Sequence, residues 1–248
     1  MIFVKHCEIT HKVRTYECDS HDNMKADCTM KYMQEAATSQ MTEEGLPYDT
    51  LLERGKALLI NRMDIEFFEP IKKFDFLTIA SWPCEGKGAT LPRKYTVHRD
   101  GKMMAKALGQ WSLVDVETKK ILRANAVDFE TFTIEEGNEE SCERFKTPEK
   151  EDMKKVGTVK ISYNQVDCNG HLNNTNYLMM VQDYIPELVD GGWIKSAKIH
   201  FSKEAVLGAE IDLYVVREES KDGVCYLFKG ILVESDLLNS ELKVEVVK

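Results

Sequence analysis

The sequence predicts an α+β chain built twice on one plan, each time a helix wrapped by an antiparallel sheet. Three observations carry this. A helix-period segment followed by strand-period runs occurs twice along the chain. Short stretches of the two halves resemble one another in the same order. An acidic stretch of low periodicity, residues 126–155, lies between them and reads as a linker.

In the first half, residues 1–125, an extended segment CEITHKVRTYECD leads into ADCTMKYMQEAATSQMTEEG. There Met30, Met33, Ala37 and Met41 recur at helical spacing. Asp27 or Thr29 is the expected cap and Gly45 the expected stop. ALLINRMDIEFFEP and FDFLTIASWP read as strands, and residues 91–120 as a hairpin turning at Asp100-Gly101. In the second half, residues 156–248, TVKISYNQVDCNG is extended and residues 171–189 form a helix. Leu178, Val181 and Ile185 share one face of it, and Pro186 disturbs its last turn. Four strands follow, with a turn at Asp222-Gly223. The local match sets Tyr32 on Tyr177, Ile65 on Ile199, Phe67 on Phe201 and Pro70 opposite Glu204. Joining the two sheets would bury more surface and remove an edge.

The composition suits a folded chain: 43% of its 248 residues are hydrophobic and 30% charged. A net charge of −9 argues against a general nucleic-acid binder. Residues 124–155 hold ten acids and five bases, so −5 of that charge sits there. Seven cysteines, an odd count without a Cys-x-x-Cys pair, point to a reducing compartment. The apolar run at the start is too short for a signal peptide, and no stretch approaches a membrane span. A cytoplasmic protein is expected, with no membrane partner.

The stretch VDCNGHLNN, residues 166–174, concentrates the chemistry. Asp167, Asn169 and His171 alternate where an extended segment turns into a helix. If the run is extended, the three share one face. The amides that open the helix, near residues 171–173, are then placed to hold an oxyanion. Gly170 permits close approach of a substrate. Three readings compete on these residues: a capped turn, a metal site using Asp167 and His171, and a hydrolytic site. No other His, Cys, Asp or Glu cluster has metal-ligand spacing, so neither a metal nor another cofactor is expected. Cys168, pointing the other way in an extended run, is expected to pack. His200 is expected to be a satisfied strand histidine.

The run DCNGHLNNTNY resembles the active-site segment of the acyl-acyl carrier protein thioesterases, Asp-x-Asn-x-His-x-Asn-Asn followed by a tyrosine. The match covers Asp167, Asn169, His171, Asn173, Asn174 and Tyr177. FSKEAV supplies Lys203-Glu204 where that family has a functional glutamate on the next strand. Ala205 stands where plant members carry cysteine. EFFEPIKKFDFLTIASWP and GQWSLVDVETKKILR extend the likeness through the first half. The resemblance implies two fused hotdog domains, the first shaping an acyl pocket and the second catalytic. It implies a catalytic network of Asp167, Asn169, His171 and Glu204, and a fatty acyl chain on acyl carrier protein as substrate. Plant members carry a plastid transit peptide, which is missing here, so the chain resembles a bacterial form. Carrier protein is acidic, so docking needs basic residues: Arg93, Lys94, Arg99 and Lys102, or Lys195 and Lys198. Met30, Met33, Met41, Trp82 and Trp111 are candidates for lining the pocket, against a plain packing role. Exposed sheet edges would suit a homodimer. An acyl-CoA thioesterase, a non-catalytic acyl-binding protein and a dehydratase on the same fold are the alternatives.

Overall fold

The computed structural model describes residues 7–126, 134–220 and 223–247. In chain order the first half contains β1 (Cys7–Lys12), α1 (Ala26–Glu43), α2 (Tyr48–Glu53), β2 (Lys56–Phe67), β3 (Phe76–Pro83), β4 (Leu91–Arg99) and β5 (Lys102–Asp115). The second contains β6 (Lys154–Lys160), α3 (Asn174–Gln182), α4 (Pro186–Val189), β7 (Trp193–Phe201), β8 (Glu210–Ser220), β9 (Gly223–Leu232) and β10 (Leu238–Val247). The strands form a single ten-stranded sheet in the order β1-β3-β4-β5-β2-β7-β10-β9-β8-β6. Each half contributes five strands in the same relative order, and the halves meet where β2 pairs antiparallel with β7. Pairing edge to edge removes two of four sheet edges and leaves β1 and β6 outermost.

Alternation along the strands sets one face against the helices. Met63, Ile65 and Phe67 of β2 and Ala197 and Ile199 of β7 are buried there with Met30 and Met33 of α1 and Leu178 and Val181 of α3. One core therefore runs through both halves. Asp27 joins the two helices: its carboxylate accepts from Gln182 Nε2 at 2.9 Å and from Lys31 Nζ at 2.8 Å.

Several local expectations change. Helix α1 is capped by neither Asp27 nor Thr29; Lys25 is the N-cap, and Asp27 lies inside the first turn, buried by its bond to α3. Gly45, with φ +83°, does end the turn after α1. At the hairpin tip Asp100 (φ 49°) and Gly101 (φ 77°) both take left-handed angles, as a two-residue type I′ turn requires. The second helix is shorter than expected. Gln182 ends α3, and Pro186, lacking an amide proton, restarts the chain as α4. Asp222 lies outside the described residues.

Residues 134–152 behave as a strap rather than a free linker. They cross the face of the sheet opposite the helices. Cys142 Sγ donates to Leu108 O, the Glu143 amide donates to Asp64, and Phe145 packs on His200 with ring centroids 4.2 Å apart. Glu143 also pairs with Lys198 and Lys243. Low sequence periodicity here reflects irregular backbone, not absence of packing. Residues 127–133 of the expected linker lie outside the described residues.

The strap is fastened at Glu241, which accepts from Thr147 N at 2.9 Å and Thr147 Oγ1 at 2.6 Å. Burial alone would raise this carboxyl, but bonds from His200 and Thr147 bring it down to about 2. A carboxylate depressed from 4.5 stabilises the fold fully above pH 4.5 and loses that contribution as pH falls towards 2. Glu241→Gln should therefore lower stability at pH 7, by up to about 3 kcal/mol. It should also flatten the decline of stability between those pH values. Parallel acid limbs for variant and wild type in urea melts would refute this.

Candidate functional site

The stretch 166–174 is a closed turn, not an extended run. Asp167 N donates to His171 O (3.0 Å), and Gly170 N donates to Asp167 O (2.9 Å). Asp167 Oδ1 accepts from Asn169 N at 2.9 Å, and Gly170 takes φ +76°. The Asp-x-Asn pairing is an Asx turn, and the glycine serves the left-handed position. Beyond it Asn173 is the N-cap of α3, its Oδ1 accepting from Thr175 N at 3.0 Å and Thr175 Oγ1 at 2.7 Å. The capped-turn reading of the motif is thus correct as local structure. It does not exclude chemistry, because the side chains still project from the turn.

The structure brings His171 together with Glu204: Nε2 lies 3.4 Å from Oε2, both side chains being partly exposed. Glu204 lies just past the end of β7 rather than on the strand. The segment is held by Leu172 N donating to Ala205 O at 2.7 Å, and by Asn239. Fully buried Asn239 donates from Nδ2 to Lys203 O (2.5 Å) and to Tyr177 Oη (3.1 Å), and its carbonyl accepts the amide of Ser202. Burial pushes Tyr177 up to about 12, so its hydroxyl stays protonated. Tyr177 and Asn239 thus position Glu204 from behind. Tyr177 was legible in the motif; Asn239, a buried amide in a distant strand, left no sequence signal.

Asp167 and Asn169 sit on the other side of the turn, with Cys168 and Asn174, at one end of a cavity of about 550 Å³. Its remaining wall is mostly first-half and largely apolar, including Ala37, Met41, Leu58, Leu91 and Trp111. His171 and Glu204 do not line it. Cys168 does, contrary to the expectation that it packs away from its neighbours, because the run turns instead of extending. The methionine stripe divides: Met30 and Met33 are core, and Met41 lines the cavity. Trp111 lines the cavity too, whereas Trp82 donates its indole N–H to Glu135 at 2.7 Å elsewhere.

The amides expected to hold an oxyanion are partly spent. Leu172 N donates to Ala205 O and Asn173 N to Gln165 O. Five of the six candidate docking cations are also committed. Arg93 is buried, donating from Nη1 to Gln40 Oε1 (2.7 Å) and Ser81 Oγ (2.9 Å). Lys94 pairs with Glu135 and Glu140, Arg99 with Asp75, and Lys198 with Glu143. Lys102 pairs with Glu69. His200 is satisfied on its strand, its Nε2 bonding Glu143 O at 3.0 Å. Among the described residues no group of three or more His, Cys, Asp and Glu could hold a metal ion.

The first half repeats the turn. Asp19 N donates to Asn23 O, Asp22 N to Asp19 O, and Asp19 Oδ1 accepts from His21 N. Met24 N donates to Ile71 O as Leu172 N does to Ala205 O, which sets Pro70 opposite Glu204. The counterpart of Asp167-x-Asn169-x-His171 is therefore Asp19-x-His21-x-Asn23, with imidazole and amide exchanged. Here His21 bonds Val189 O (2.9 Å) and Asn23 accepts from Lys72 Nζ (2.5 Å), so both are used in holding the fold. With the positions exchanged, the first half carries no Asp-x-Asn-x-His run of its own.

Residues 5–130 match the Acyl-ACP thioesterase N-terminal domain, and residues 148–242 match the Acyl-ACP thioesterase C-terminal domain. The chain is 23% identical over 237 residues to oleoyl-acyl carrier protein thioesterase 2, chloroplastic, of Arabidopsis thaliana. That alignment covers 87% of this chain and 64% of the relative. Thioesterase 1 of the same plant is 22% identical over 214 residues, covering 77% of this chain and 58% of the relative. The chain thus spans less than two thirds of the length of these curated relatives. Among solved structures, an acyl-ACP thioesterase from Bacteroides thetaiotaomicron superposes with a TM-score of 0.84 at 19% identity, covering 96% of each chain. The 12:0-ACP thioesterase from Umbellularia californica gives 0.83 at 15% identity, covering 96% of this chain and 92% of that one. These likenesses show the tandem hotdog architecture, and the two domain matches together span most of the sequence. The chain belongs to the acyl-ACP thioesterase family.

Proposed function

We propose that this chain hydrolyses the thioester of a fatty acyl group carried on acyl carrier protein, releasing free fatty acid and ending chain synthesis. The observation that carries the reading is the cavity: a largely apolar first-half wall ends on the second-half turn bearing Asp167 and Asn169, with the His171–Glu204 pair on the flank of that turn. An acyl chain needs the apolar wall and its thioester needs the polar end. The division into a pocket-shaping half, 1–125, and a catalytic half, 156–248, joined by 126–155, is part of this proposal.

In the proposed reaction, Glu204, coupled to His171, takes a proton from water as the oxygen attacks the carbonyl carbon. Asn169 orients the attacking group. Collapse of the tetrahedral intermediate breaks the C–S bond, and the proton returns through His171 to the departing thiolate. Asp167 braces the turn that aims Asn169, since its Oδ1 is already engaged by that residue's amide. No metal or other cofactor enters these steps.

Acyl carrier protein is the proposed partner, in a bacterial, cytoplasmic setting, with neither nucleic acid nor membrane. Seven free cysteines are consistent with a reducing compartment, and among the described residues no helix is long and apolar enough to cross a membrane. The outermost strands β1 and β6 offer the pairing edges for a homodimer.

Turnover of a panel of acyl-ACP and acyl-CoA thioesters tests the reading; absence of hydrolysis on every carrier-protein substrate would refute it. Chain length is expected to follow the first-half wall. Ala37→Phe fills the cavity from α1 and should move released fatty acids to shorter chains, read by product profiling. An unchanged profile would remove the first half from chain selection.

A further inference from the structure

Helix α2 carries Tyr48 to the polar end of the acyl cavity, where Asp167, Cys168, Asn169 and Asn174 also lie. Its placement is firm. Gly45 turns the chain after α1, and fully buried Leu51 packs α2 against Leu46 and Leu113. Tyr48 and Asn169 line the same cavity, and their side chains interact there. Burial, followed by the negative potential of Cys168, Asp167 and Glu204, raises this phenol above its ordinary value, so it remains a donor at neutral pH. Meanwhile the amides of Leu172 and Asn173 are bonded elsewhere. Those two amides are therefore not free to hold a carbonyl oxygen that turns negative at this end of the cavity.

We propose that Tyr48, from the first half, is a further catalytic residue that donates a hydrogen bond to the thioester carbonyl oxygen as it becomes an oxyanion. The proton stays on the phenol, and no bond to Tyr48 forms or breaks. The role rests on the hydrolase reading above and makes the active site a product of both halves.

The test compares wild type with Tyr48→Phe. Loss of an oxyanion donor should lower kcat for acyl-ACP by about 10². KM should stay within about threefold, as expected for an interaction made only in the transition state. Melting temperature should be unchanged. A trifluoromethyl ketone analogue of the acyl thioester, bound as its tetrahedral adduct, should lose about tenfold or more in affinity. Unchanged kcat or unchanged analogue affinity in Tyr48→Phe overturns the Tyr48 role while wild-type hydrolysis stands. A shift confined to melting temperature, KM or chain length also overturns it, assigning the residue to packing or pocket shape. Wild-type protein that hydrolyses no acyl thioester overturns the hydrolase reading, and the Tyr48 role with it.

Discussion

Glu204→Gln is expected to lower kcat for acyl-ACP hydrolysis by about 10²–10⁴, the usual contribution of a general base. The substitution keeps shape and removes only the charge that faces His171 at 3.4 Å. Glu204 is exposed, and the segment bearing it is held through the backbone by Leu172 and Asn239, not through its carboxylate. Stability should therefore change by less than about 0.5 kcal/mol. His171→Ala and Asp167→Ala complete the series. Each should keep the fold and lose most turnover, Asp167→Ala by releasing the turn that aims Asn169. Wild-type rates in all three variants would sink the assignment of this site. A rate loss in Glu204→Gln matched by a large fall in melting temperature would point to structure instead.

Ile199→Ala should cost about 2–5 kcal/mol, as truncation of a fully buried aliphatic side chain does. Its position gives the loss a wider meaning. Ile199 lies on β7 directly across from Met63 of β2, in the pairing that joins the halves into one sheet. The core beneath is shared by α1 and α3. Both halves should consequently unfold together, before and after the mutation. The three tryptophans report this well: Trp82 and Trp111 lie in the first half and Trp193 on β7. Urea melts of single-tryptophan variants should coincide. Separate midpoints for the two halves, or a cost below about 1 kcal/mol, would show that the seam does not couple them.

Much of the fold was legible because local chemistry and tertiary structure agree. Alternation in β2 and β4, helical spacing in α1, and Asp100-Gly101 at the hairpin tip act over a few residues, and each holds. Errors arose where distant partners decide. Asp27 looks like a helix cap until Gln182 of the other half is seen to take its carboxylate. The acidic stretch before β6 looks unattached until the sheet supplies Leu108, Asp64 and His200 beneath it. Arg93 looks like a surface cation until Gln40 and Ser81 are found around it. In each case a polar residue carries no mark of whether water or protein satisfies it.

The candidate site divides in the same way. Asp167, Asn169, Gly170, His171 and the Asn173 cap are one short run whose turn chemistry is local, so the sequence by itself determined them and, through the motif, the family. Which side of the turn each residue serves was decided only by the tertiary structure. The turn closes instead of extending, which sends Asp167, Cys168 and Asn169 to the cavity and leaves His171 beside Glu204. Tyr48 and Asn239 reach the site from α2 and β10, more than sixty residues from the motif in either direction for the one and the other. Such contacts depend on the joined sheet bringing both halves onto one core, and chain spacing does not encode them.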